Sequence, residues 1–196
     1  MKDRFFDEPS LGIAIKLIGK IADELSYTYN SDRRNCLSIV KYFQPVLPQH
    51  STQAGRLKRR SSDVLNIFNW PKEQTTSQSD RNSNQLLQKI TLQLNSEIAT
   101  VSQVLWWVEQ LDNLPIPETV LQLSRLAVVE GFILAVHHHK NMPSDTSIDL
   151  LIAVFNERLE IKIWDWGKPF NFKAKLNEEL KKKDPFGLNE FGFVFQ

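Results

Sequence analysis

Three groups of residues in this chain could do chemistry. Gly12 opens an amphipathic stretch, "GIAIKLIGKIADEL", and the amides at the start of a glycine-opened helix suit phosphate, because they lack intrahelical acceptors and the helix dipole favours negative charge. Glu130 stands in a run from Leu123 to Val136 that is apolar on nearly every side, where an ionised carboxylate is seldom placed unless it is paired, hydrogen-bonded or used. His137, His138 and His139 invite a metal, yet successive helix residues project about 100° apart, so three in a row do not converge on one ion, and no metal is expected here. Cys36, with no activating neighbour in sequence, reads as packing. The run Lys181, Lys182, Lys183 reads as a solvated helix end. Trp106, Trp107, Trp164 and Trp166 read as core and pocket wall.

The elements that must position these residues follow from periodicity. A helix over the opening stretch has Leu17, Ile18, Ile21 and Leu25 on one face and Lys16, Lys20, Asp23 and Glu24 on the other. Strands are expected over Leu25 to Tyr29 and Asn35 to Phe43, joined by the turn Asn30-Ser31-Asp32-Arg33. From Gln44 to about Asn84 the composition turns to Gln, Ser, Thr, Pro and Asn with no sustained hydrophobic period; "DVLNIFNWP" within it reads as a sticky patch in a tether. Order returns with a strand over Leu86 to Leu94 and a helix from about Ser96. A second helix enters at Pro117 and continues to about His139. Strands over Ser147 to Phe155 and Leu159 to Trp164 follow, then a charged helix from Phe172 to Lys183. About five strands and three or four helices suit a two-layer α+β domain with helices on one face of a mixed, largely antiparallel sheet.

The bulk numbers narrow the class. A chain of 196 residues, 41% hydrophobic, supports one core and an appendage. With 24 Lys+Arg against 23 Asp+Glu, no global charge draws it to nucleic acid or an anionic membrane. A single Cys excludes an intramolecular disulfide, "MKDRFFDEPS" lacks a signal-like apolar run, and no stretch of about 18 apolar residues is evident. The expectation is a cytoplasmic protein with local protein partners.

"VVEGFILAVHHH", followed by "EIKIWDWGKPFN", resembles the histidine-kinase-like ATPase fold, and within it the bacterial anti-sigma factor and switch-protein serine kinases. The resemblance runs from about Lys89 to Lys175 and includes "VLWWVEQL" and "PIPETV". It implies that ATP or ADP is the cofactor and that Asp165, Gly167 and Phe170 form the adenine box. There the carboxylate accepts from the adenine amino group and the glycine lets the ring approach the backbone. It also implies Glu130 as base toward a protein serine. The magnesium-binding asparagine expected four residues on is Leu134 here, so Mg2+ lacks its usual oxygen ligand. One of the three histidines is expected to line the nucleotide pocket. The implied partners are a sigma factor or its small antagonist. A non-catalytic nucleotide-binding module that sequesters a partner is the alternative, in which nucleotide is only a structural ligand.

The opening segment is similar to the family's closing portion, a glycine box with helix and hairpin, displaced to the front. Gly12 and Ile13 match the end of that box, and Gly192 in "NEFGFVFQ" looks like a second, broken copy. The resemblance therefore implies a circularly permuted order. Residues 1–43 would be the displaced closing portion, 44–85 a flexible linker, and 86–196 the remainder with the adenine box and a partial lid. A tether of about 40 residues spans on the order of 35 Å, enough to join the old termini. Closure within one chain and exchange between two chains are both open at this point.

Overall fold

The computed structural model describes residues 9–46 and 84–182. The segment "DVLNIFNWP", most of the tether, Lys183 and Gly192 lie outside them. The chain forms α1 (Pro9–Ile21), β1 (Glu24–Tyr29), β2 (Asn35–Tyr42), β3 (Leu86–Asn95), α2 (Val101–Val108), α3 (Glu118–His138), β4 (Ser147–Phe155), β5 (Arg158–Asp165) and α4 (Phe172–Lys181), with single 3-10 turns on either side of α2. The five strands make one sheet in the order β1-β2-β5-β4-β3. Every neighbouring pair is antiparallel, in line with the mixed, largely antiparallel sheet expected and without a parallel pair among the described strands. The helices pack on one another and onto the sheet through α3, which gives the two-layer α+β sandwich that the element count implied.

The core follows the two periods. On β4, Ile148, Leu150, Ile152 and Val154 are buried, and on β5 Leu159, Ile161 and Ile163. These alternate with Asp149, Leu151, Glu160 and Lys162, as a strand with one covered face requires. On α1, Leu11, Ala14, Ile15, Ile18 and Ile21 are buried.

Two readings of this helix need correction. It begins at Pro9 and ends at Ile21, so Gly12 lies inside its first turns and Leu25 belongs to β1. Lys16, assigned to the solvent face, is buried, and its Nζ donates to the Lys182 carbonyl at 3.3 Å. Its long apolar stem passes under the end of α4 while the ammonium reaches oxygen.

By length and composition α3 is apolar enough to cross a membrane, contrary to the reading that no such stretch exists. Here that character serves the core: Val120, Leu121, Ala127, Val128, Phe132, Leu134 and Ala135 are buried, because α3 packs on the sheet and on both α1 and α2. It lies tight on the sheet at Gly131, where a Cβ would collide with Ile163 Cδ1 of β5. Two turns further along the same face the helix reaches His138. Two residues past Ile163, β5 reaches Asp165. The two ends therefore meet.

Candidate functional site

Asp165 continues the buried face of β5 after Leu159, Ile161 and Ile163, so an alternation that carries apolar side chains ends on a carboxylate that is only 4% exposed. Such a group must be compensated locally. Its Oδ1 accepts from the Gly167 amide at 2.7 Å and from Nδ2 of Asn35 at 2.9 Å. Asn35, fully buried, is the residue directly opposite in the register of β2, and the same Nδ2 also donates to the Gly167 carbonyl at 2.8 Å. Among the described residues nothing donates to Asn35 Oδ1.

The end of α3 supplies two histidines. His138 directs Nδ1 at Asp165 Oδ1, 2.7 Å away, and Nε2 at the Lys168 carbonyl. The ring therefore bridges the last residue of β5 and the loop that follows it. His139 Nε2 accepts from the Trp166 amide at 2.8 Å, which places its proton on Nδ1 and makes it neutral. Burial lowers its pKa, against the opposing pull of Asp165, which lies 3.9 Å from Nε2. His137, His138 and His139 thus do not converge as a metal site. Among the described residues, no group of three or more His, Cys, Asp or Glu is placed to hold an ion.

Phe170 stands edge-on to His138, with ring centroids 5.3 Å apart, and packs on Tyr27 of β1 at 4.9 Å. Tyr27 stacks on Phe172 at 5.4 Å. Its hydroxyl is buried with no partner among the described residues, and burial, then Asp165, push its pKa far up. Beyond this cluster a groove of about 610 Å³ runs between β1 and α4, lined by Leu25, Tyr27, Phe170, Phe172 and Leu176 among others.

The remaining sequence candidates fall elsewhere. Glu130 is half-buried on α3, and desolvation raises its pKa. Leu134, one turn on, is 5% exposed and part of the core cluster. Gly12 is buried against α4, where a Cβ would lie 2.6 Å from Glu179 Oε2; Gly19, seven residues on, meets Leu176 of the same helix. A phosphate at Gly12 would face that carboxylate. Ile13 is 36% exposed. Cys36 is buried, and burial pushes its thiol pKa up, as a packing role requires. Of the tryptophans, Trp107 is core, but Trp106 is 68% and Trp166 41% exposed. Trp166 carries the Arg34 guanidinium over its ring at 5.6 Å. Lys182, at the end of α4, holds Glu179 at 2.6 Å and Glu178 at 3.2 Å.

Sequence reasoning named Asp165, Gly167 and Phe170, which the structure brings together, and did not name Asn35, whose signal was an amide opening an otherwise apolar strand. The residues expected to form an adenine box lie together, but they do not fit a purine in this arrangement. The His138 ring lies where a Cβ on Gly167 would stand, covering the strip of backbone that the glycine leaves open, and Asp165 Oδ1 is already committed to three partners. Leu134 offers carbon where a hard cation needs oxygen.

Comparison with known proteins gives one finding. The family model for the histidine kinase-like ATPase domain matches residues 94–195, just over half of the 196-residue chain. No curated protein and no solved structure gives a significant match. The match spans α2, α3, β4, β5 and the box around Asp165, and it agrees with the α+β sandwich described above. The chain belongs to the histidine kinase-like ATPase domain family, a family of nucleotide-binding domains.

Proposed function

We propose that this chain is a non-catalytic regulatory module of the anti-sigma serine-kinase type, which works by holding a protein partner and for which ATP or ADP is a structural ligand only. The partner class is a sigma factor or its small antagonist, met in the cytoplasm; neither nucleic acid nor membrane is part of the reading. The observation that carries it is Leu134, a buried core side chain one helical turn from Glu130. Phosphoryl transfer relies on metal-assisted charge stabilisation and positioning, and a leucine supplies no lone pair to the metal.

The permuted order belongs to the same proposal. Its support is that β2 pairs with β5 along its whole length and α1 packs on α3, so the front segment completes the sheet and helix layer around Asp165 within one chain. Gly192, the second half-box of that reading, lies outside the described residues. The mass in solution separates this closed monomer from an exchanged dimer.

A second reading, protein serine kinase with Glu130 as base, has one observation in its favour: burial raises the Glu130 pKa, the direction that makes a carboxylate a stronger base. Incubation with ATP labelled at the γ-phosphate, Mg2+ and an antagonist protein tests both. No phosphoserine is expected. Phosphoserine that disappears in Glu130→Gln establishes the kinase and ends the proposal.

A further inference from the structure

β1 stands at one edge of the sheet. Among the described residues no strand pairs with its outer side, so alternate amides and carbonyls along Glu24–Tyr29 are turned away from β2. The groove of about 610 Å³ follows this edge. Leu25, Ser26 and Tyr27 line it together although their side chains alternate between the two faces of the sheet, as happens where a groove meets a strand side-on. Phe170, Phe172 and Leu176 form its opposite, apolar wall, and Lys173 stands exposed beside them. Of the apolar residues, Leu25, Tyr27, Phe170 and Leu176 are only half-buried. A free strand edge beside an apolar wall suits an added strand, whose backbone pairs with the edge while alternate side chains enter the groove.

We propose that the occupant is the chain's own segment 190–196, "EFGFVFQ", which adds to β1 as a further strand of the same sheet and seats Phe191, Phe193 and Phe195 in the groove. These three recur at every second position, the period that puts side chains on one face of a strand. Gly192 and Val194 fall on the other face. Glu190 precedes the aromatic run and is opposite in sign to Lys173 of the groove.

Reach and family membership agree with this placement. α4 ends at Lys181, and its opening turns, from Phe172 to Leu176, are the part that lines the groove. The ten residues of this helix measure about 15 Å along its axis. Residues 183–191, fully extended, reach about 30 Å, so the chain is long enough to double back along α4 and bring Phe191 to β1. The family match continues to residue 195, which counts this segment with the same domain as β5 and α4. Pairing in this way covers an edge that otherwise invites other chains.

The test is hydrogen–deuterium exchange of the full chain, read by mass spectrometry over β1, for the natural sequence and for a variant carrying Phe191→Ser, Phe193→Ser and Phe195→Ser together. In the variant β1 is expected to exchange at least tenfold faster than in the natural chain, while β4 and β5 exchange alike in both. Equal exchange of β1 in the two chains overturns the proposal. So does protection of β1 that falls at least tenfold on dilution of the natural chain together with the native mass of a dimer, since the occupant then comes from a second copy. Should the variant not fold, nuclear Overhauser contacts in the natural chain decide. Contacts from the rings of Phe191, Phe193 or Phe195 to those of Tyr27 or Phe172 are the expected result, and their absence overturns the added strand.

Discussion

Asn35 and Asp165 stand opposite each other in the register of β2 and β5, and the Asn35 amide donates to Asp165 Oδ1 at 2.9 Å. The front segment of the chain thereby holds the carboxylate around which the site is built, although 130 positions separate the two residues.

Replacing Asn35 with alanine removes a buried donor from both Asp165 and the Gly167 carbonyl. Leaving a buried carboxylate and a carbonyl short of partners is expected to cost about 2–3 kcal/mol. For a chain of this size that corresponds to a fall in melting temperature of roughly 5–10 °C. Thermal unfolding followed by circular dichroism checks it; a change below about 1 °C would mean that this bond does not hold the site together.

Tyr27→Phe is expected to behave in the opposite way. The hydroxyl is buried without a partner among the described residues, so removing it relieves a desolvated polar group and keeps the ring contacts with Phe170 and Phe172. Stability should be unchanged or higher by up to about 1 kcal/mol in urea unfolding. A clear loss would reveal a partner for that oxygen.

Burial raises the pKa of Glu130, so the folded chain binds a proton there more readily than the unfolded chain. The sign follows from linkage: the ionised form costs stability at neutral and alkaline pH, and the cost disappears as pH falls below the ordinary carboxylate value of about 4.3. Glu130→Gln should raise the melting temperature at pH 7–8 by about 1–3 °C and make no difference near pH 4. A gain confined to acid pH would contradict the placement of this side chain in a desolvated position.

For His139 the sign is reversed in origin. Its folded pKa is lowered by burial, so the unfolded state takes up a proton first, and stability present above the unfolded value of about 6.5 is lost as pH falls through and below it. His139→Gln, which keeps an acceptor for the Trp166 amide, should flatten this acid limb. Melting curves from pH 8 to pH 5 compare the two chains, and an unchanged slope would show that His139 is not held neutral.

Much of the fold was legible because its signals are local. The alternation of Leu159, Ile161 and Ile163 marked β5, and the apolar α3 announced a helix covered on nearly all sides. The resemblance around Asp165 drew attention to Asp165, Gly167 and Phe170, which the fold brings together. What was not legible depends on contacts between segments remote in sequence. Gly12 looks like a phosphate-box glycine until α4 is seen packed on it through Glu179. Lys16 looks solvated until the end of α4 is placed above it. The different settings of His138 and His139 are invisible in a run of three identical residues, because they depend on which oxygens and amides the loop after β5 brings to each ring.

The most direct test of the proposed function, in which nucleotide would be read by Asp165 as a structural ligand without metal-assisted catalysis, is thermal stabilisation by millimolar ADP in Mg2+ and in EDTA, for the natural chain and for Asp165→Asn. The account requires stabilisation that is equal with and without Mg2+ and that falls at least tenfold in apparent affinity in Asp165→Asn. Stabilisation that needs Mg2+, or that survives intact in Asp165→Asn, would contradict it.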